Sequence, residues 1–206
     1  MYEETLSKDT AIVLEKIAQI AKPFYLAGGT ALALQFGHRI SIDLDFFCAD
    51  SFSTSLLIEK LKAIGKLKVE DQSERTLNGS LDGVKISFFY YQYKLNFPTI
   101  EYKGINLADE RDIAGMKIVA ISDRGTKKDF VDLYVLLKKY SLETILEFFN
   151  EKYKDCNYNI VHISKSLTYF FDADQNPDPE MLIKYHWKEI KKYITSIIDQ
   201  YMKFST

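Results

Sequence analysis

Cysteine and histidine are both scarce. Cys48 and Cys156 lie far apart and match no metal or redox spacing, which excludes a disulfide framework and suits a reducing compartment. His38, His162 and His186 are scattered along the chain, which argues against a histidine-built zinc site. Charge of one sign is missing too. The net charge of -2 rules out a general basic field of the sort that draws a whole protein to nucleic acid, and leaves only a local patch for that task. No stretch reaches the roughly 18 apolar residues of a membrane span. The opening "MYEETLSKDTAIVLEKIAQI" lacks the basic start and unbroken apolar core of a secretion signal. Repeats and low-complexity tracts are absent. The expectation is a soluble, cytoplasmic protein without a membrane partner.

What is present is ordinary in bulk. Apolar residues make up 47% and charged residues 27% of 206, enough for one generous domain or two small ones. Apolar spacing predicts a helix over 9–21, ended by Pro23, then a short buried strand "FYLA" at 24–27. Gly28-Gly29 breaks that strand. Thr30 is placed to N-cap a two-turn helix "ALALQF", with Gly37 as its stop. Alternation makes "ISIDLDFF" (40–47) a strand, with Ile40, Ile42, Leu44 and Phe46 on one face and Ser41, Asp43, Asp45 and Phe47 on the other. A helix near 53–64 follows, then strands near 66–71, 75–80 and 84–93. From Asp109 onward the period is helical, with helices expected near 109–122, 127–140, 142–153, 159–171 and 186–202. The fold class is therefore α+β: a mixed sheet with helices over 1–107, then a helical region over 108–206 expected to pack on it.

The strangest stretch is "LAGGTALALQFGHRISIDLDFF" (26–47). Asp is depleted in strands, and like charges side by side repel, so Asp43 and Asp45 need a reason to share one strand face. A strand feeding Gly28-Gly29-Thr30 and then a helix is suited to phosphate, because glycines admit close approach and the helix start points N–H groups at an anion. Asp43 and Asp45 would then hold Mg²⁺, or Mn²⁺, against the same phosphates, which makes the pair favourable. Arg39 and Ser41 stand beside them, either touching phosphate or holding the aspartates. Arg39 reads equally well as an ordinary surface residue.

Further along, the predicted helix 109–122 is apolar almost all round, and on a helical wheel Lys117 and Arg124 fall within about 20° of each other, two turns apart. A buried ammonium must find an anion. Two partners stand open for Lys117, a nucleotide phosphate or a nearby aspartate. Thr126 with Asp129 matches a capping box, and Lys128 and Asp132 are spaced to pair on a helix surface.

The order of the two motifs, glycine turn and then paired aspartates, resembles the nucleotidyltransferase fold shared by polymerase-beta-like enzymes. The fuller string, with "DIAGMKIVAISDRGTKKDFVDLY" (112–134) and "KSLTYFFDAD" (165–174), resembles the AbiEii/AbiGii toxin family nearly end to end. That resemblance implies a nucleotidyltransferase using an NTP, on the toxin side of a bacterial toxin–antitoxin or abortive-infection pair. It also implies RNA such as the tRNA acceptor end as acceptor, and a winged-helix antitoxin as partner. In the family the lysine-then-aspartate block belongs to the active site, so Lys117, Lys128, Asp129 and Asp132 are carried over as candidates, with Lys117 and Asp132 catalytic beside Asp43 and Asp45.

Relatives of this fold often place a third carboxylate on an adjacent strand, as metal ligand and base. In "VKISFFYY" the matching face carries Lys85, Ser87, Phe89 and Tyr91, without an acid. Asp82, Asp129 or Asp132 would have to substitute. Otherwise the chain is a non-catalytic nucleotide- or partner-binding module. A small-molecule acceptor is a further alternative. "DADQNPDP" (172–179) imitates a calcium loop but has Pro177 where Gly is needed and Ile183 where Glu is needed. It reads as a loop. Lys184, Lys188, Lys191 and Lys192 read as a solvated face or as contacts to an RNA backbone.

Overall fold

A computed structural model describes residues 1–204. The chain divides into two compact units, Met1–Asp109 and Glu110–Thr206.

Unit 1 holds a mixed sheet of seven strands among the described residues, in the order β3-β4-β5-β2-β1-β7-β6. Helix α1 (Lys8–Ala18), capped by Ser7, precedes β1 (Tyr25–Ala27), which runs directly into α2 (Gly28–Phe36). Then come β2 (Leu44–Cys48), α3 (Thr54–Ile64), β3 (Leu67–Gln72), β4 (Thr76–Leu81) and β5 (Val84–Tyr90). Strands β6 (Ile100–Tyr102) and β7 (Ile105–Leu107) close the unit as a hairpin. Its turn, Lys103-Gly104, has positive φ at both residues, the conformation that matches the twist of paired strands. The sequence reading missed this hairpin, because three-residue strands are too short to show alternation.

Strand β2 lies antiparallel to β1 and parallel to β5. Pairing partners point the same way, and neighbours along a strand alternate. Leu26, Leu44, Phe46, Ile86 and Phe88 therefore form one face, and every one of them is fully buried. Helices α1, α2 and α3 pack against the sheet and supply Leu14, Ile17, Leu32, Leu34 and Leu61 to the same core. The opposite face carries Tyr25, Ala27, Asp45, Phe47, Ser87 and Phe89. Phe47 stacks on Tyr25 at 6.0 Å and sits 5.3 Å from Phe89.

The expected strand 40–47 is half strand. Residues 40–43 lie outside the ladder, and Ile42 is 53% exposed rather than aligned with buried Leu44. Gly37, with φ +66, ends α2 as expected, and a six-residue connection then leads into β2.

Unit 2 is helical throughout: α4 (Glu110–Asp123), α5 (Lys127–Leu137), α6 (Leu142–Lys152), α7 (Ile160–Ser166), the one-turn α8 (Phe171–Asp174) and α9 (Trp187–Phe204). The single helix expected over 159–171 is broken after Ser166. The break lets Phe170 pack on Phe130 at 4.7 Å and Trp187 at 5.9 Å, burial that a continuous helix would forgo. The stretch "DADQNPDP", read from sequence as a loop, has its first three residues in α8, and it fastens this unit. Asn176 Oδ1 accepts the Lys127 N–H at the start of α5 (3.0 Å), Asp178 and the Asn176 carbonyl hold the Lys127 ammonium, and Asp174 accepts from Trp187 and Lys191.

Candidate active site

In unit 1 the sheet register brings the two halves of the glycine–aspartate stretch together. Asp45 pairs with Ala27, the last residue of β1, so it stands beside the turn into α2. Gly28 occupies that turn with φ +68, a conformation L residues rarely adopt. A Cβ there would come within 3.3 Å of Asp45 Oδ2. The backbone conformation calls for glycine, and a Cβ would in addition press on the Asp45 carboxylate.

Helix α2 begins at Gly28, with Gly29 second and Thr30 third, so its N-cap is Ala27. This corrects the expectation that Thr30 caps the helix. A methyl group cannot accept from the first-turn N–H groups, which have no partner inside the helix. Such a helix start, opening beside a carboxylate pair, fits an anion that arrives with its own cation.

Thr30 is 1% exposed, and its hydroxyl faces inward. It lies 2.8 Å from Ser41 Oγ and within hydrogen-bonding distance of the Asp43 carbonyl oxygen. Thr30 is the donor toward both, its single proton shared between the Ser41 hydroxyl and the Asp43 carbonyl. Ser41 is 7% exposed, and its own N–H donates to the Thr5 carbonyl at 2.9 Å. Arg39 is 3% exposed, with Nη1 donating to the Ile40 carbonyl at 3.1 Å, which removes the surface-residue reading.

On β5 the residue paired with Asp45 is Ser87, itself buried, so the neighbouring strand supplies no third acid. Asp82 does not substitute. It sits at the β4–β5 turn, where Lys16 (2.7 Å) and the Lys66 N–H (2.8 Å) both bind it and hold its carboxyl below the usual range. Among the described residues no cluster of three acids, histidines or cysteines is built to hold a metal. A pair of carboxylates beside a phosphate-suited turn fits Mg²⁺, which usually takes one or two protein carboxylates and completes its shell from phosphates and water.

In unit 2 the candidates form one buried ion cluster. Lys117 Nζ lies 2.9 Å from Asp129 Oδ1 and 2.6 Å from Asp132 Oδ2, with all three side chains 5% exposed or less. Arg124 Nε reaches Asp129 Oδ2 at 3.1 Å, and the Thr126 hydroxyl donates to the same oxygen at 2.6 Å. Burial pushes the Asp129 carboxyl up, but Lys117, Arg124 and Thr126 together hold it well below the usual range. Two expectations are corrected. Thr126 spends its hydroxyl on the Asp129 side chain and accepts no N–H, so the capping box does not form. Asp132 is fully buried against Lys117 and so does not lie on the helix surface, whereas Lys128 is exposed.

Residues 12–198 match the family described as nucleotidyl transferase AbiEii toxin of type IV toxin–antitoxin systems. The chain belongs to the AbiEii family. It is also 40% identical to the uncharacterized protein aq_aa25 of Aquifex aeolicus over 96% of this chain and 98% of that one. The fold of this AbiEii chain resembles two solved structures. MenT4, the nucleotidyltransferase toxin Rv2826c of Mycobacterium tuberculosis, aligns with a TM-score of 0.61 at 14% identity, over 91% of this chain and 82% of that one. JHP933 of Helicobacter pylori aligns at 0.55 and 19%, over 97% and 96%. The AbiEii chain is accordingly a nucleotidyltransferase of the toxin class with an α+β fold, and no helix among its described residues is long and apolar enough to cross a membrane.

Sequence reasoning missed two buried partners, Asp112 and Lys152, which lie 2.8 Å apart with both side chains fully buried. The place of Asp112 beside Ile113 and Ala114 in α4, and of Lys152 on the apolar stripe of α6, was the available signal.

Proposed function

We propose that this AbiEii-family protein transfers a nucleotide from an NTP to an acceptor hydroxyl, with Asp43 and Asp45 holding Mg²⁺ or Mn²⁺. The observation that carries the reading is the register of Asp45 against Ala27, which sets a carboxylate against Gly28 at the start of α2. The backbone of Gly28, Gly29 and Thr30 receives the phosphates through the helix start. Gly28 keeps the approach open, and α2 directs its positive end at the anion. When bound, the metal supplies charge neutralisation at the phosphates and at the attacking oxygen. The acceptor oxygen bonds to the α-phosphorus, the bond to the bridging oxygen breaks, pyrophosphate leaves, and the hydroxyl proton passes to water. The protein's part is positioning and a fixed electrostatic field.

Lys117 and Asp132, with Lys128 and Asp129, enter this proposal as family-based candidates, while the geometry within unit 2 assigns Lys117, Asp129 and Asp132 to one another. The acceptor we place in RNA, such as the acceptor end of tRNA. Lys184, Lys188 and Lys192 are exposed and suit a phosphate backbone, whereas Lys191 is spent on Asp174. A winged-helix antitoxin is the proposed counterpart, and the cytoplasm the proposed location.

The test is incubation with α-labelled NTPs and total tRNA. Label moves to RNA with the wild type, and not with the Asp43→Ala/Asp45→Ala double variant. Transfer that persists in the double variant sinks the mechanism. Ser87 opposite Asp45 favours one rival, a nucleotide-binding module without turnover. Tight NTP binding with no product on RNA, protein or small-molecule acceptors selects that rival.

A further inference from the structure

The two carboxylates of the Asp43–Asp45 pair are held by different means. Asp45 is locked in the ladder, between Ala27 on one side and Ser87 on the other. Asp43 precedes β2 and has no ladder position. Its backbone is fastened instead by the Thr30 hydroxyl, which comes from the first turn of α2. Behind Thr30 stands Ser41, whose backbone N–H is tied to Thr5 in the N-terminal 3₁₀ turn at Glu3–Thr5. The Thr30 hydroxyl is thus a hub that donates toward both the Ser41 hydroxyl and the Asp43 carbonyl, with Thr30 and Ser41 buried and Asp43 half-buried.

We infer that Thr30 is a positioning residue that sets Asp43 at its working distance from Asp45, and that its hydroxyl does not bind phosphate. The inference rests on the metal reading above. The Thr30 proton is used between Ser41 and the Asp43 carbonyl, and a buried donor already engaged has nothing to offer an incoming oxygen. A metal shell is sensitive to the groups behind its ligands, whose removal typically costs ~10–100-fold in affinity. Phosphate is left to the backbone N–H groups of the helix start, so the threonine hydroxyl serves the acid pair while its backbone serves the triphosphate.

The test compares wild type, Thr30→Val, Thr30→Ser and Asp43→Asn by Mn²⁺ binding without nucleotide, read by electron paramagnetic resonance. Valine keeps the shape and removes the proton, and serine restores it. Asp43→Asn removes a ligand charge and defines which Mn²⁺ signal belongs to the site. The expected result is Mn²⁺ affinity lowered ~10-fold or more in Thr30→Val, near wild type in Thr30→Ser, and lost in Asp43→Asn. At saturating metal the NTP KM of Thr30→Val stays close to wild type. Asp43-dependent Mn²⁺ binding that ignores Thr30→Val, with a raised NTP KM in its place, overturns this inference alone. Mn²⁺ binding that ignores Asp43→Asn overturns the metal reading and this inference together. Should Thr30→Val not fold, Thr30→Ala takes its place, removing the same proton. A loss of Mn²⁺ affinity supports the positioning role, and an unchanged affinity overturns it.

Discussion

Lys117 shows how a buried charge is made tolerable in this chain. Its ammonium faces two carboxylates, Asp129 and Asp132, in a region almost closed to solvent. Removing one member of such a cluster strands the others, which typically costs ~3–5 kcal/mol. Lys117→Met is therefore expected to lower the urea-unfolding free energy by about that amount, whatever it does to activity. The pH dependence follows from Asp129, whose folded carboxyl is held well below its ordinary value of 3.8. A carboxyl depressed on folding contributes stability above its unfolded value, and that contribution is lost as pH falls through the folded one. The stability gap between wild type and Asp129→Asn should accordingly shrink when unfolding is measured at pH ~3 instead of pH ~6. The sequence showed that Lys117 needed an anion. Which anion was not legible, because the answer lay in α5 and in how α4 and α5 come together.

Helix pairs repeat the lesson with larger pieces. Helices α4 and α6 approach so closely that a Cβ on Gly115 would come within 3.2 Å of the Phe149 Cα. Between them lies the fully buried pair Asp112–Lys152. Lys152→Met alone leaves Asp112 without its counter-charge in the interior and should cost ~3–5 kcal/mol, whereas Lys152→Met with Asp112→Leu should regain most of it. Thermal unfolding of the three proteins checks this, and equal losses in the single and double variants would refute it. Most elements were legible from period and caps. Ser7, Ser53, Ser141 and Asn159 each accept first-turn N–H groups where their helices begin. The β6–β7 hairpin and the break after Ser166 were not legible, since one is too short for a pattern and the other follows from where Phe170 finds partners.

For the molecule as a whole, membership of a toxin family joins a glycine–aspartate constellation assembled within unit 1. Induced expression of the wild type in a bacterial host is expected to cut colony counts, and expression of Asp43→Ala/Asp45→Ala at equal protein level to leave them near the empty-vector count. Equal killing by both would separate toxicity from the paired acids. The sequence by itself determined the order of the motifs, the glycine turn and then the paired aspartates, together with the period that separates a mixed-sheet half from a helical half. Those are local properties, carried by neighbouring residues. Only the tertiary structure decided that Asp45 stands across from Ala27, that Thr30 serves Asp43, and that Lys117 already has its counter-ions. Each of these joins residues distant in the chain, and strand register and helix packing select them by burying whole faces at once, a choice no short stretch of sequence records.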